Sequence, residues 1–335
     1  MDHIMKRRTL LKAAAFSAAS GNLLGMPSLA RADDVFPSRS IVMVNPYAPG
    51  GYVDNFARAI STPLSKALGV PVTVVNTPGA DGFLGHQYFL KQPQDGYVQL
   101  ADSVNSIASS ILTRHAPYKM ADFSMINLPV RDFTVMATSA SNANLHSIED
   151  VVKALKADPA GLSIGLVPAQ ADYINLAILC DAIGVNVKEL RVVTYEDGGS
   201  VRTAVAGGVN DIGLVGGLGF LPLIKLIRPL ITFGKERQQP FDAPCSAEVK
   251  VGKPLDYVQG SLRGFACSSA FKTKYPDRYK IIVAAYEKVF KDPEVTKMLN
   301  DAQLGTGWFG PEASDGVYLR SYDEMNKYLY LMKGA

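Results

Sequence analysis

Cysteine is scarce in this 335-residue chain, and the three present, Cys180, Cys245 and Cys267, lie far apart and form no C-x-x-C pair. An odd, dispersed set excludes a disulfide framework, leaves room for one bridge at most, and reads as buried thiols. The same scatter argues against an iron–sulfur centre, and no C-x-x-C-H haem attachment is present. Histidine is as sparse: His3, His86, His115 and His146 show neither H-x-x-x-H nor mixed Cys/His spacing, so no metal-ligand set can be read. No P-loop occurs. Beyond the N-terminal segment no apolar run is long enough to span a bilayer. Low-complexity tracts and fixed-period repeats are also missing. No cofactor is expected.

What is present begins with an export signal. Lys6-Arg7-Arg8-Thr9-Leu10-Leu11-Lys12 is a paired-arginine head, a weakly apolar stretch follows to Leu29, and Ala30-Arg31-Ala32 is an A-x-A site. The order predicts a twin-arginine-type leader over residues 1–32, cleavage after Ala32, and a periplasmic protein. The leader carries five basic groups and one acidic group, so the remainder holds 29 Lys+Arg against 30 Asp+Glu. The basic character of the whole chain is a property of its leader, and composition gives no case for nucleic acid.

After the leader, strand and helix patterns alternate. Ser40–Val44 is an apolar strand run, and Asp54–Ile60 has helical apolar spacing. Between them lies the bend Asn45-Pro46-Tyr47-Ala48-Pro49-Gly50-Gly51-Tyr52-Val53. A second strand, 70–76, ends in the bend Thr77-Pro78-Gly79-Ala80-Asp81-Gly82 before another helical pattern. The middle of the chain repeats the unit, with turns at 168–172 and at Glu196-Asp197-Gly198-Gly199-Ser200. Alternation of this kind predicts an α/β fold with mostly parallel strands. The first N–H groups of a helix lack partners and its dipole is positive there, while glycines admit close approach to the backbone. Both early bends therefore suit a small anion, most simply a carboxylate.

These segments resemble the extracytoplasmic solute receptors of the tripartite tricarboxylate transporter family, the Bug or TctC-like proteins. Pro46-Tyr47-Ala48-Pro49-Gly50-Gly51 with Asp54, Ala57 and Arg58 is similar to their P-[FY]-A-P-G-G-x-x-D-x-x-A-R motif, and 76–82 to their N-x-P-G-A-x-G turn. Pro93-Gln94-Asp95-Gly96-Tyr97 is similar to their P-D-G-Y, and Tyr195, Gly198-Gly199 and 207–211 to a later Y-x-x-G-G…G-G-x-x-D segment. The resemblance implies a type II periplasmic-binding-protein fold, two α/β lobes with a ligand cleft between them. It implies lobe one over 33–135 plus 255–335 and lobe two over 136–254, closing on a small di-, tri- or aromatic carboxylate. It implies membrane transporter subunits as partners, a monomer, and no catalysis. The site it implies comprises Tyr47, Ala48, Gly50, Gly51 and Tyr52 in the first bend and Thr77, Pro78, Gly79, Ala80 and Asp81 in the second. It adds Ser103 and Asn105 after the third strand, and Gln170, Tyr173, Gly198, Gly199, Ser200 and Arg202 in the second lobe. This chain departs from the pattern at Tyr52, where a small hydroxyl residue is common, and at Glu196, where lysine is common.

Several residues have two readings. Asp54 either touches ligand or caps the following helix, and its place after Gly-Gly favours the cap. Arg202 either forks onto a distal carboxylate or is a solvated helix residue, and Arg263 is a second candidate of the same kind. A carboxylate at Asp197 or Glu196 repels an anion unless turned away or paired. Three catalytic-looking patterns match by letter. Gly161-Leu162-Ser163-Ile164-Gly165 places its serine inside a strand, not at an elbow. Ser269-Ala270-Phe271-Lys272 lacks the S-D-N and K-T-G partners of its class, and the G-x-G-x-x-G at 305–310 follows no strand. The rival classes are an exported cofactor-binding oxidoreductase and a periplasmic ligand sensor for a membrane kinase.

Overall fold

The computed structural model describes residues 35–168 and 171–332, so the leader reading and Gln170 fall outside the described residues. The compact unit starting at Pro37 carries two five-stranded sheets. In the first half, β1 (Ile41–Asn45) leads into α1 (Tyr52–Leu68), β2 (Val72–Asn76) into α2 (Phe83–Lys91), and β3 (Val98–Ser103) into α3 (Asn105–Arg114). Strand β1 is flanked on both sides and buries Ile41, Met43, Val44 and Asn45, which is why it reads as a continuous apolar run. Helix α1 buries Val53, Phe56, Ala57, Ile60 and Leu64, a stripe at helical spacing.

The chain then crosses between sheets. Strand β4 (Phe123–Arg131) belongs to the first sheet, and two residues later β5 (Thr134–Ser139) belongs to the second. The second sheet is completed by α4 (Ile148–Ala157), β6 (Ser163–Leu166), α5 (Ala171–Ile183), β7 (Arg191–Thr194), α6 (Gly198–Ala206), β8 (Ile212–Gly216) and β9 (Ile227–Phe233). A long irregular connection returns to β10 (Leu262–Ser268) in the first sheet. The helices α7 (Ser269–Lys274), α8 (Pro276–Lys291), α9 (Pro293–Asp301), α10 (Gly310–Lys327) and α11 (Leu329–Met332) follow. The orders are β2-β1-β3-β10-β4 and β7-β6-β8-β5-β9.

The expectation of mostly parallel strands holds for strand direction: four strands of each sheet run one way, and β10 and β5 run against them. Strand β1 is parallel to β2 and β3, and β6 to β7 and β8, but β10 is antiparallel to β3 and β4, and β5 to β8 and β9. The cause is the double crossing: β5 and β10 each enter their sheet from the edge at which the parallel strands end. Both sheets therefore present strand C-termini to the region of Asp132, where ligands of open α/β sheets lie.

Other expectations are met locally. Ser147 and Asp150 form the capping box that opens α4. Ser163 lies inside β6 with its hydroxyl 2.6 Å from Asp211 Oδ2, and Lys272 is 3.2 Å from Asp315 Oδ2. The 305–310 glycine segment is anchored on Asn127 of β4, which bonds Gly307 O at 2.9 Å and Phe309 N–H at 2.9 Å. Cys180, Cys245 and Cys267 are free and buried. Helix α10 covers β4, where Asp315 and Ser314 accept the Met125 and Leu128 N–H groups at 2.6 and 3.0 Å.

Candidate ligand-binding site

The two early bends stand side by side. Asn45 and Asn76 are paired at the ends of β1 and β2, and Thr77 N–H donates to Asn45 O at 2.8 Å. Asn76 Nδ2 donates across to Tyr47 O at 3.1 Å. Gly85, in the first turn of α2, makes the contact tight: a Cβ there would stand 2.7 Å from Pro46 Cα and 2.9 Å from Thr77 Oγ1. Only a glycine lets the second helix seat against both bends.

Asp54 is the brace of the first bend. It accepts the Gly50 N–H at 2.9 Å, Arg58 Nε at 2.9 Å and Asn76 Nδ2 at 2.8 Å. Burial opposes its charge, but these hydrogen bonds outweigh burial and bring its pKa down to about 2. Asp54 thus turns inward and ties helix, bend and neighbouring strand together. Tyr47 is turned inward as well. Its hydroxyl donates to Asp102 Oδ1 at 3.0 Å and lies 2.8 Å from Ser106 Oγ. Burial, then the Asp102 charge, pushes that phenol well above its ordinary pKa. Asp102 Oδ2 in turn lies 2.9 Å from His86 Nε2, both side chains fully buried. The bends therefore rest on a buried polar floor of Tyr47, Asp102, His86 and Ser106.

The second bend is strained. Gly79, Ala80, Asp81 and Gly82 all have positive φ, of 141°, 49°, 54° and 86°. Two of them are not glycine, a cost met most often at ligand clamps. Among the described residues, the N–H groups of Ala48, Gly79 and Ala80 have no acceptor. Thr77 Oγ1 and Asn105 Nδ2 are buried polar atoms without a protein partner, and Asn105 is 1% exposed. They stand at the ends of β2 and β3, on either side of the β1 bend. Ser103 and Asn105 thus join the bends at one edge, while Ala48, Pro78 and Ala80 are exposed.

The second sheet supplies the facing elements. Asp132, between β4 and β5, accepts the N–H groups of Phe133 and Leu218 at 2.8 and 3.1 Å. Arg263 of β10 pairs with it at 3.3 Å and lays its guanidinium 4.6 Å from the centre of the Tyr52 ring. Neither Asp132 nor its pairing with Arg263 was anticipated. The signal was a charged residue between two apolar runs, but its partner is 131 residues away. Asp197 caps α6 by accepting Ser200 N–H and Oγ at 2.9 and 3.1 Å, so its carboxylate is turned onto its own helix. Gly198 and Gly199 open the same helix, and Arg202 lies one turn further on. Tyr173 is carried by α5, which is buried almost all round, and packs in the apolar core.

Asp172, in the first turn of α5, was also missed. Burial, offset in part by the Thr134 hydroxyl 2.5 Å away, pushes its pKa up to about 6. A raised acid pKa means that the folded chain holds the proton more tightly than the unfolded chain. Stability conferred by this group is present at low pH and falls as pH rises from about 4 through about 6. Asp172→Asn is expected to flatten the dependence of Tm on pH in that window and to exceed the parent in stability above it by about 1–3 kcal/mol. Calorimetric scans at matched pH values check this, and an unchanged slope in the variant would remove Asp172 from the account.

Comparison with known proteins places the chain in a family and a fold. The profile of the family described as "Tripartite tricarboxylate transporter family receptor" (TctC) matches residues 56–308. A UPF0065 protein from the tcbD-tcbE intergenic region of Pseudomonas sp. strain P51 is 32% identical over 178 residues, 53% of this chain and 52% of the relative. The chain thus spans about half the length of that curated relative. A TctC solute-binding protein from Polaromonas superposes with a TM-score of 0.66 at 20% identity, over 90% of this chain and 100% of that one. MatC of Rhodopseudomonas palustris, solved with bound malate, gives 0.73 at 18% identity, over 88% and 99%. Two five-stranded α/β sheets linked by a double chain crossing are thus the fold of solute-binding proteins, and the chain belongs to the tripartite tricarboxylate transporter receptors, a family that binds its solutes and does not transform them.

Proposed function

We propose that this chain is a periplasmic receptor that seats one carboxylate of a small organic acid on the backbone N–H groups of the 46–52 and 77–82 bends. The observation that carries the reading is the juxtaposition of the bends at adjacent strand ends, braced from below by Asp54 and Tyr47. Amides held rigidly before the ligand arrives lose little freedom on binding, which favours affinity. Around this seat the reading places Tyr52, Ser103 and Asn105, with Gly198, Gly199, Ser200 and Arg202 facing from α6. The MatC structure, with its bound malate, supports a small hydroxy-acid or di-acid as the kind of guest.

The lobes are 33–135 with 255–335, and 136–254. The sheets themselves change a few residues from these bounds, at the crossings around Asp132 and 259–261; these crossings are the hinge, held together by Asp132 N–H donating to Ser261 O at 2.9 Å and by Gln259 Nε2 on Asp132 O. Ligand bound to one lobe and contacted by the other shifts the population toward the closed form. The closed monomer then delivers its solute to membrane subunits of a tripartite transporter. Export follows the twin-arginine route, with cleavage after Ala32.

A thermal-shift screen over organic acids, amino acids, sugars and amines tests this reading. At a hundredfold excess over Kd an acid stabilises the folded state by about 2.7 kcal/mol, a rise in Tm of roughly 4 °C. Stabilisation by sugars or amines, with every acid inert at millimolar concentration, would overturn it.

A further inference from the structure

We propose that His86 is a positioning residue of the carboxylate seat, acting through Asp102, and that this pair takes up a proton when an acid binds. The inference rests on the reading of the two bends as the seat. The pair touches both of them. Asp102 Oδ1 accepts the Tyr47 hydroxyl of the first bend at 3.0 Å, and Asp102 Oδ2 lies 2.9 Å from His86 Nε2. His86 stands one turn into α2, against the second bend. Its N–H donates to Gly82 O at 2.9 Å, and a Cβ at Gly82 would stand 3.1 Å from His86 Cε1. The rings of Tyr118 and Phe123 meet the imidazole edge-on, with centroids 5.8 and 5.9 Å away. Both side chains of the pair are fully buried. At that depth solvent screens little of the Asp102 charge from an anion placed on the bends.

A buried carboxylate beneath an anion seat opposes binding, and a proton on the neighbouring imidazole cancels it. Histidine is the side chain whose charge changes near neutral pH. The neutral ring keeps its hydrogen on Nε2, donating to Asp102, and accepts from the Tyr118 hydroxyl at Nδ1, 3.1 Å away. The proton that arrives with the acid goes to Nδ1, and the Tyr118 oxygen, which can accept as well as donate, becomes its partner. The ring nitrogens are thus satisfied in both states. The other charges acting on this network are mostly negative. Asp81 of the second bend acts on Tyr47 and Tyr118, and Arg114 is the cation beside Tyr118. Asp122 and Asp315 act with Asp102 on Tyr318, and Asp315 is paired with Lys272. An arriving carboxylate adds one more negative charge and draws the proton in. By linkage the same proton strengthens binding, so affinity falls as pH rises.

Calorimetric titration of the full chain with succinate, malate, citrate, adipate and benzoate, in buffers of different protonation enthalpy, tests the inference. The tightest of these acids is expected to bind with uptake of about half a proton near pH 7, and its Kd to rise about tenfold between about pH 6 and pH 8. His86→Gln and Asp102→Asn are both expected to abolish the uptake and to hold Kd within about twofold over that range, from opposite sides. His86→Gln leaves Asp102 without a cation and is expected to bind about tenfold more weakly than the parent at the lower pH. Asp102→Asn removes the repulsion and is expected to bind about tenfold more tightly than the parent at the higher pH. Equal weakening of both variants at every pH would mark a structural role only and overturn the inference. Binding by the parent without proton uptake, or uptake unchanged in both variants, would also overturn it and leave the bends as the seat. Asp172 titrates in the same range from α5, and uptake lost in Asp172→Asn but kept in His86→Gln would assign the proton there, against the inference. Failure of all the acids to bind would overturn the inference together with the reading beneath it.

Discussion

Gly51→Val is expected to abolish carboxylate binding, by at least a hundredfold, in a protein that still folds. Gly51 has φ −72° and ψ 171°, an extended conformation that valine adopts readily. A Cβ there meets nothing nearer than Ala48 O at 3.7 Å, an ordinary contact. The fold therefore loses little beyond the preference for glycine over valine at a helix N-cap, about 1 kcal/mol. The binding cost is of another order, because two methyl groups then stand where a carboxylate must approach the bend. Gly50 is a poorer probe. Its φ of +85° makes any side chain strained, and its N–H is already committed to Asp54 at 2.9 Å. Calorimetry on Gly51→Val, with a thermal melt to verify folding, separates the two effects. Parent-like affinity would place the carboxylate elsewhere.

The largest expected loss of stability is at the crossing between the sheets. Asp132 is fully buried, and its Arg263 partner is nearly so. Asp132→Ala leaves a guanidinium without its counterion and the Phe133 and Leu218 N–H groups without their acceptor. Removing one member of a buried pair costs about 3–5 kcal/mol, or roughly 5–8 °C in Tm for a chain of this size. Replacing both, as in Asp132→Ala with Arg263→Met, is expected to recover much of the loss, since the isolated charge and not the missing attraction dominates the penalty. A single variant within about 1 kcal/mol of the parent would show that water reaches the pair and that the crossing is not held by it.

The first site half was legible because it is local. Strand, bend and helix follow one another in sequence, and the groups proposed to grip an anion there are backbone groups whose placement depends on glycine and proline. Strand β4 and strand β10 were not read. Each buries polar residues, Asn127 in one and Arg263 in the other, whose partners come from distant segments. Without those partners the runs do not look like central strands. Tyr47 was read as a candidate lining residue, yet its hydroxyl points down to Asp102, a contact 55 residues away in sequence. The resemblance implied Tyr173 as a site residue in the second lobe, yet it packs in the apolar core. Helix α5 is apolar on nearly every side, so its pattern gives no inward or outward face. Arg202 was legible as a residue but not its packing against Gly219, which lies after the next strand.

Backbone amide NMR of the isotope-labelled chain, titrated with a stabilising acid, tests the central claim most directly. The account predicts that the largest early shifts fall on the N–H groups of Ala48, Gly51, Gly79 and Ala80, with Gly50 moving less because Asp54 already holds it. Shifts confined to the separate cavity of about 280 Å³ beside Arg131, Phe133 and Lys235, with both bends unmoved, would contradict it.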